Sequence, residues 1–247
     1  MSEPQQILVI DNSNSRTKFC LHPHGEMRML PTCEVCTRSV SELLQGWSFS
    51  RACICSVVPE AAREIVAALG EVPCDFVRPA EGLAVDFSGY PGVATLGADR
   101  VANVLAAVRY AELPLVAIDA GTATTLDVVV QRGGRPCFAG GMIAPGIRAL
   151  ADSLRNRTAM LPECDWSSEG PVIGRSTVQS MASAVRIGYP GMMDSLLEGI
   201  EAELGQSVNV VLTGGDADFL SKRLRHPLVV VPGLTLEGTL LAADSSL

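Results

Sequence analysis

Asp11 and Asp119 each close a run of apolar residues and are followed at once by small polar ones, in "ILVIDNSNSRTKF" and "PLVAIDAGTATTLDVVV". A carboxylate in that position stands at the mouth of a sheet. The small residues after it let backbone N–H groups approach an anion closely, while Ser, Asn and Thr add further donors. A carboxylate next to phosphates is repulsive unless a cation lies between them, and Mg²⁺ is commonly held by one or two carboxylates plus phosphate oxygens. Two such turns facing each other across a cleft would clamp a nucleotide polyphosphate. Neither G-x-x-x-x-G-K-[ST] nor a G-x-G-x-x-G after a strand is present, which excludes the two commonest phosphate loops. Between the turns, Gly97-Ala98-Asp99-Arg100 precedes a helical run. A helix start favours an anionic group. Asp99 suits a general base toward a hydroxyl, and Arg100 suits a charge stabiliser on a transferring phosphoryl. Asp99 serving only as a helix cap is the competing possibility.

The elements that must carry these residues repeat. Residues 7–11 and 17–21 read as two strands around a short turn. A half-buried strand over 51–58, in which Cys53 and Cys55 alternate with Ala52 and Ile54, leads to a helix near 60–69 with Pro59 at its start. Helical spacing covers 100–113. The pattern then restarts at Pro114 with a strand, a turn and a strand, followed by a helix over about 146–157. A helical region at 176–203 is broken near Pro190-Gly191, a strand occupies 208–212 and a helix 216–224. A strand, a turn and a short helix follow. Aligning Asp11 with Asp119 pairs Ile10 with Ile118, Ser13 with Gly121, Asn14 with Thr122 and Thr17 with Thr125. Such internal repetition predicts two similar α/β halves, 1–112 and 113–247, against the alternative of shared composition by chance.

Bulk composition narrows the function. The 247 residues suffice for two cores. A net charge of −8 argues against a broad nucleic-acid-binding face, and no cationic stripe suggests a membrane surface. No apolar run approaches the roughly 18–20 residues of a membrane span, and the N-terminus lacks the features of a signal peptide. The eight cysteines read as reduced thiols of a cytoplasmic protein. Cys33-x-x-Cys36 lacks two further zinc ligands at comparable spacing, so these read as ordinary cysteines.

Taken in order, these segments resemble the type III pantothenate kinases of the acetate kinase/sugar kinase/Hsp70/actin superfamily. Asp11 to Lys18 resembles the family's D-x-G-N-T motif with its following basic position. "CSVVP" at 55–59, Tyr90, Gly97-Ala98-Asp99-Arg100, Asp119-Ala120-Gly121-Thr122-Ala123, "GGMIAPG" at 140–146, "LP" at 161–162, Gly174 with Thr177, and "LTGGDA" at 212–217 continue the match. The resemblance implies two RNase H-like (actin-like ATPase) domains with a nucleotide cleft between them. It also implies ATP-dependent phosphorylation of the 4′-hydroxyl of pantothenate, the first step toward coenzyme A. On that resemblance Asp99 is the base, and Arg100 binds substrate and phosphoryl. Tyr90, Gly97, Ala98 and Thr177 contact pantothenate, Thr177 from the partner subunit of a homodimer. Asp11, Asn12, Ser13, Asn14, Ser15, Arg16, Thr17 and Lys18 hold the ATP phosphates, Asp11 with Mg²⁺, and Thr122 touches ATP. Asp119 ligands a monovalent cation, K⁺ or NH₄⁺. Ser13 stands where the family has glycine and Ser15 where it has threonine; Val93 replaces a frequent proline and Ala184 a frequent glycine. Ser13 is the feature that supports a second possibility, a relative that binds ligand without turnover.

Overall fold

A computed structural model of the protein describes residues 6–156 and 161–244. Its elements fall into two compact units. The first comprises Met1–Arg109, Arg132–Phe138 and Gly233–Leu247; the second comprises Tyr110–Gln131 and Ala139–Pro232. This differs from a single boundary at 112/113, because two later segments return to the first unit.

The first unit is built on a five-stranded sheet. β1 (Ile7–Asn12) pairs antiparallel with β2 (Arg16–His22), and β2 with β3 (Glu26–Pro31). On its other side β1 runs parallel to β4 (Arg51–Ser56), which runs parallel to β5 (Cys74–Phe76). Leu8, Ile10, Phe19, Ala52 and Ile54 form a core with Val40 of α1 (Thr37–Leu43) and Ile65 and Leu69 of α2 (Pro59–Leu69). The opposite face lies under α3 (Ala98–Ala107) and α7 (Leu234–Asp244), both of which meet β4. Cys53 and Cys55 sit on that covered face, in register with Val9 and Asp11. They are therefore buried, and β4 is buried on both faces rather than half-exposed. A strand flanked by parallel neighbours and roofed on both sides reads as a continuous apolar run. α3 and α7 approach so closely that a Cβ on Gly238 would lie within 2 Å of the Ala102 carbonyl oxygen, at 1.8 Å. Thr235 Oγ1 donates to Asn103 Oδ1 at 2.8 Å across the same contact.

The second unit repeats the plan. β6 (Leu115–Ala120) pairs antiparallel with β7 (Ala123–Arg132) and parallel with β9 (Asn209–Thr213). β8 (Arg135–Pro145) lies beyond β7, and β10 (Leu228–Val230) lies parallel beyond β9. The two sheet orders, 3-2-1-4-5 and 8-7-6-9-10, are the same order written twice. This is the repetition that the alignment of Asp11 with Asp119 anticipates. α4 (Ile147–Asn156) and α6 (Ala217–Ser221) complete the unit with α5 (Thr177–Leu204).

α5 is one helix of 28 residues, without the break expected at Pro190. Proline inside a helix removes one backbone hydrogen bond and costs about 3 kcal/mol. Tyr189, Met193, Leu197 and Ile200 form a stripe across it that is buried against Val116, Ile118 and Leu126. Burying each such side chain contributes about 1.5–3 kcal/mol, so the stripe outweighs the proline.

Candidate functional site

The first hairpin is held from beneath by a buried polar network. Asn12 Nδ2 donates to Thr17 Oγ1 at 2.8 Å, and Ser56 Oγ donates to Asn12 Oδ1 at 2.6 Å. Thr17 Oγ1 lies 3.1 Å from Thr32 Oγ1, and Thr32 Oγ1 donates to the Ser13 carbonyl at 2.6 Å. Asn12 and Thr17 are thus turned inward and engaged with each other, which fixes the loop. Asn14, Ser15 and Arg16 are exposed on the loop, with Ser13 and Lys18 half-buried. Asp11 is buried, its two carboxylate oxygens accepting from Ser13 Oγ at 2.5 Å and from Lys18 Nζ at 2.9 Å. Among the described residues no non-glycine has positive φ, so Ser13 holds the turn without left-handed backbone.

Asp99 lies in the first turn of α3, where its Oδ1 accepts the Arg100 backbone N–H at 2.8 Å. Burial pushes its carboxyl above the ordinary aspartate range, and repulsion from Asp11 adds to the effect. Hydrogen bonding to the Arg100 amide pulls the other way without cancelling it. Asp11 and Asp99, far apart in sequence, are thus brought into electrostatic contact.

Arg100 is buried, its guanidinium carbon 5.7 Å from the centre of the Phe138 ring. Tyr90 packs T-shaped on the same ring with centroids 5.0 Å apart, and the Phe87 centroid lies 5.5 Å from it. Phe138 is a residue that sequence reasoning missed. It belongs to the short return segment at the tip of β7–β8, where Phe138 N donates to the Asp86 carbonyl at 2.9 Å. No local pattern around it signals that role.

Beside these groups, within the first unit, lies a cavity of about 600 Å³. Its walls are the end of β4, the segment Val77-Arg78-Pro79 after β5, and residues 93–98 leading into α3. Gly97 and Ala98 line it directly, immediately ahead of Asp99.

In the second unit Asp119 is half-buried near the end of β6, opposite Thr125 and Thr213, and Thr122 is exposed on the following turn. Gly214 (φ +103°) wraps this strand end: a Cβ there would lie 2.4 Å from the Ala120 carbonyl oxygen. Asp216 N donates to that oxygen at 2.9 Å. The Asp216 side chain is buried, which raises its carboxyl, and Arg148 at 3.8 Å opposes the rise. Tyr189 is fully buried with its hydroxyl 2.7 Å from Thr124 Oγ1. Burial pushes it up to about 12, the Thr124 hydrogen bond working against that, with Asp216 and Asp119 both adding negative potential. Asp216 and Tyr189 therefore belong to the surroundings of Asp119, although only the composition of "LTGGDA" hinted at the former. Thr177 is exposed as the first residue of α5, capped by Ser176, whose Oγ accepts from Gln179 N at 3.3 Å. Among the described residues no group of three or more His, Cys, Asp or Glu side chains forms a ready metal cage.

The twice-used sheet order, with an aspartate at the end of the first strand each time, defines an α/β protein of the actin-like ATPase fold. Solved structures agree. A Campylobacter jejuni protein described as a Baf family transcriptional activator superposes with a TM-score of 0.64 at 18% identity, covering 97% of this chain and 98% of that one. A glucokinase from an Antarctic psychrotroph superposes with a TM-score of 0.50 at 10% identity, covering 98% and 99%. The family model for type III pantothenate kinase matches residues 7–199. The type III pantothenate kinase of Akkermansia muciniphila is 40% identical over 244 residues, covering 97% of this chain and 99% of that protein. That of Methylacidiphilum infernorum is 34% identical over 247 residues, covering 96% and 88%. The chain belongs to the type III pantothenate kinase family.

Proposed function

We propose that the protein transfers the γ-phosphoryl group of ATP to the 4′-hydroxyl of pantothenate, giving 4′-phosphopantothenate and ADP, as the first step of coenzyme A biosynthesis. Membership of the family along nearly the whole chain carries this reading. The placement of Asp99 and Arg100 beside a cavity supports it.

In the reaction, the hydroxyl oxygen forms a bond to the γ-phosphorus as the bond to the ADP oxygen breaks, the electron pair leaving with ADP. Asp99 takes the hydroxyl proton. Its raised carboxyl range brings its basicity nearer the working pH, which suits a general base. Arg100, backed by Phe138 and through it by Tyr90, presents positive charge to the phosphoryl and the substrate. Tyr90, Gly97 and Ala98 form the acceptor site.

On the first hairpin, Ser13, Asn14, Ser15, Arg16 and Lys18 face the ATP phosphates, while Asn12 and Thr17 hold the loop in shape. In the second unit Thr122 touches ATP. Asp11 offers hard oxygen donors that fit Mg²⁺ carried in with ATP, and Lys18 already answers its charge. Mg²⁺ would neutralise the negative charge that builds on the transferring phosphoryl. Asp119, with Asp216 near the same buried tyrosine, offers hard carboxylate oxygens that fit K⁺ or NH₄⁺.

The protein acts in the cytoplasm as a homodimer, with Thr177 reaching the partner's acceptor site. Exposed Val172, Ile173 and Val178, close to Thr177 in sequence, support such a contact. Ser13, the feature that favours a non-catalytic relative, is accommodated without backbone strain. The test is purified protein with ATP, Mg²⁺ and K⁺, assayed on pantothenate against a panel of sugars and acetate. ADP formation with pantothenate alone is expected. Turnover of another acceptor, or binding without turnover, would refute the proposal.

A further inference from the structure

The cavity beside α3 has one charged side chain in its wall, Arg78. Its hydroxyl-bearing wall residues are already engaged: Ser56 Oγ donates to Asn12 Oδ1, and Thr95 Oγ1 donates to the Gly92 carbonyl at 3.0 Å. Arg78 follows β5 as an exposed residue between buried Val77, whose N–H donates to the Ile54 carbonyl at 2.9 Å, and half-buried Pro79. Gly97 and Ala98 close another wall of the same cavity, next to Asp99. The cavity thus has a reacting end, at the start of α3, and a cationic side chain elsewhere in its wall.

Pantothenate has matching polarity: the hydroxyl to be phosphorylated lies at one end and a carboxylate at the other. A protein with a net charge of −8 repels such an anion at long range, so a local cation is needed to hold it. Arg100 is buried against Phe138 at the reacting end and has the phosphoryl to serve. We infer that Arg78 is a specificity-determining residue that binds the carboxylate of pantothenate and so orients the opposite hydroxyl toward Asp99. The planar guanidinium matches a carboxylate with two parallel hydrogen bonds, a geometry lysine cannot reproduce. This inference rests on the pantothenate reading above.

The test compares wild-type protein with Arg78→Ala and Arg78→Lys on pantothenate and on its neutral alcohol analogue, in which CH₂OH replaces the carboxylate. Because the side chain is exposed, solvent screening limits the effect to about tenfold. Arg78→Ala is expected to raise the pantothenate KM about tenfold, with kcat within about twofold and the ATP KM unchanged. Arg78→Lys should fall between the two. The alcohol analogue should show nearly the same KM with all three proteins. Calorimetric titration of pantothenate without ATP should show the same loss of affinity. An unchanged pantothenate KM and affinity in Arg78→Ala would overturn the inference and leave the kinase reading standing. Equal losses for the acid and the alcohol, or a loss confined to kcat, would overturn it too, since charge recognition would not be the cause. A wild-type protein that neither binds nor phosphorylates pantothenate would instead overturn the functional reading, and the inference with it.

Discussion

Replacing Asp99 by asparagine separates the two roles open to this residue, because the structure makes their consequences opposite. The Asp99 carboxylate accepts the Arg100 backbone N–H at 2.8 Å, and an asparagine carbonyl oxygen can accept the same bond. The structural part of the side chain is therefore kept, and only charge and basicity are lost. Loss of a general base lowers kcat by about 10²–10⁴, or ~3–5 kcal/mol of barrier. Stability moves little. Removing a negative charge from a helix N-terminus costs about 0.3–1 kcal/mol, while removing a buried carboxylate relieves its desolvation. The raised carboxyl range shows that desolvation prevails. The folded state holds the proton more tightly than the unfolded one, so the ionised side chain destabilises the fold. That destabilisation sets in as pH rises from the ordinary aspartate value through the raised folded value, and it is absent at lower pH. Asp99→Asn should therefore melt at or slightly above the wild-type temperature at pH 7. The difference should stay within about 3 °C for a chain of this size and vanish in acid. In the wild type, kcat/KM should fall as pH drops through the raised value, since the protonated side chain accepts no proton. The assays are steady-state kinetics with saturating ATP, thermal melting at pH 4 and pH 7, and a nucleotide-binding control. Near-normal turnover in an asparagine variant with wild-type melting would refute the role of Asp99 as base and leave it a cap.

Asp119→Ala should remove most activity together with its dependence on K⁺ or NH₄⁺; equal wild-type rates in Na⁺-only and K⁺ buffers would count against a cation there. Ser13→Gly loses the 2.5 Å hydrogen bond to Asp11, worth about 0.5–1.5 kcal/mol, and should raise the ATP KM about two- to tenfold. A lower ATP KM would show instead that the serine hinders the phosphates. Gly238→Ala places a methyl 1.8 Å from the Ala102 carbonyl oxygen and must separate α7 from α3. A loss of about 3 kcal/mol, or roughly 6–12 °C in Tm, is expected, and an unchanged melting temperature would contradict the packing described.

Much of the fold was legible because it is local. The runs ending in Asp11 and Asp119 are short buried strands, and the segments after them keep hairpin spacing, so the repetition could be seen before any contact was known. The overlooked elements lack a periodic signal. β8 carries two prolines and two adjacent glycines, α1 is only seven residues, and β3 lies at a sheet edge with both methionines exposed. Pro190 misled because proline's local cost is visible in sequence, while the stripe from Tyr189 to Ile200 that overrides it depends on distant strands. Cys53 and Cys55 misled similarly: whether an alternating strand has one buried face or two depends on α3 and α7 arriving over it. At the candidate site, Asp99 and Arg100 were readable as chemistry at a helix start. Phe138 and Tyr189 were not, since each acts through a neighbour remote in sequence, and Asp216 was hinted at only by the composition of "LTGGDA". Asn12 and Thr17 had the right chemistry for phosphate contact, but their burial is decided by Thr32 and Ser56.

The packing of α7 against α3 has a consequence for how the protein is made. α7 is synthesised after every residue of the second unit, so the growing chain can complete the Asp119 sheet while the Asp11 sheet still lacks the half of its cover that α7 supplies. α3, which carries Asp99 and Arg100, then waits for the partner helix that seats against Ala102 and Asn103. Domains usually fold in the order in which the ribosome delivers them. Here the half translated first must wait for its last helix, and until α7 emerges β1 and β4 lack the cover it gives them. A nascent chain halted before Leu234 would thus hold every strand of the second unit's sheet and a first unit still without α7.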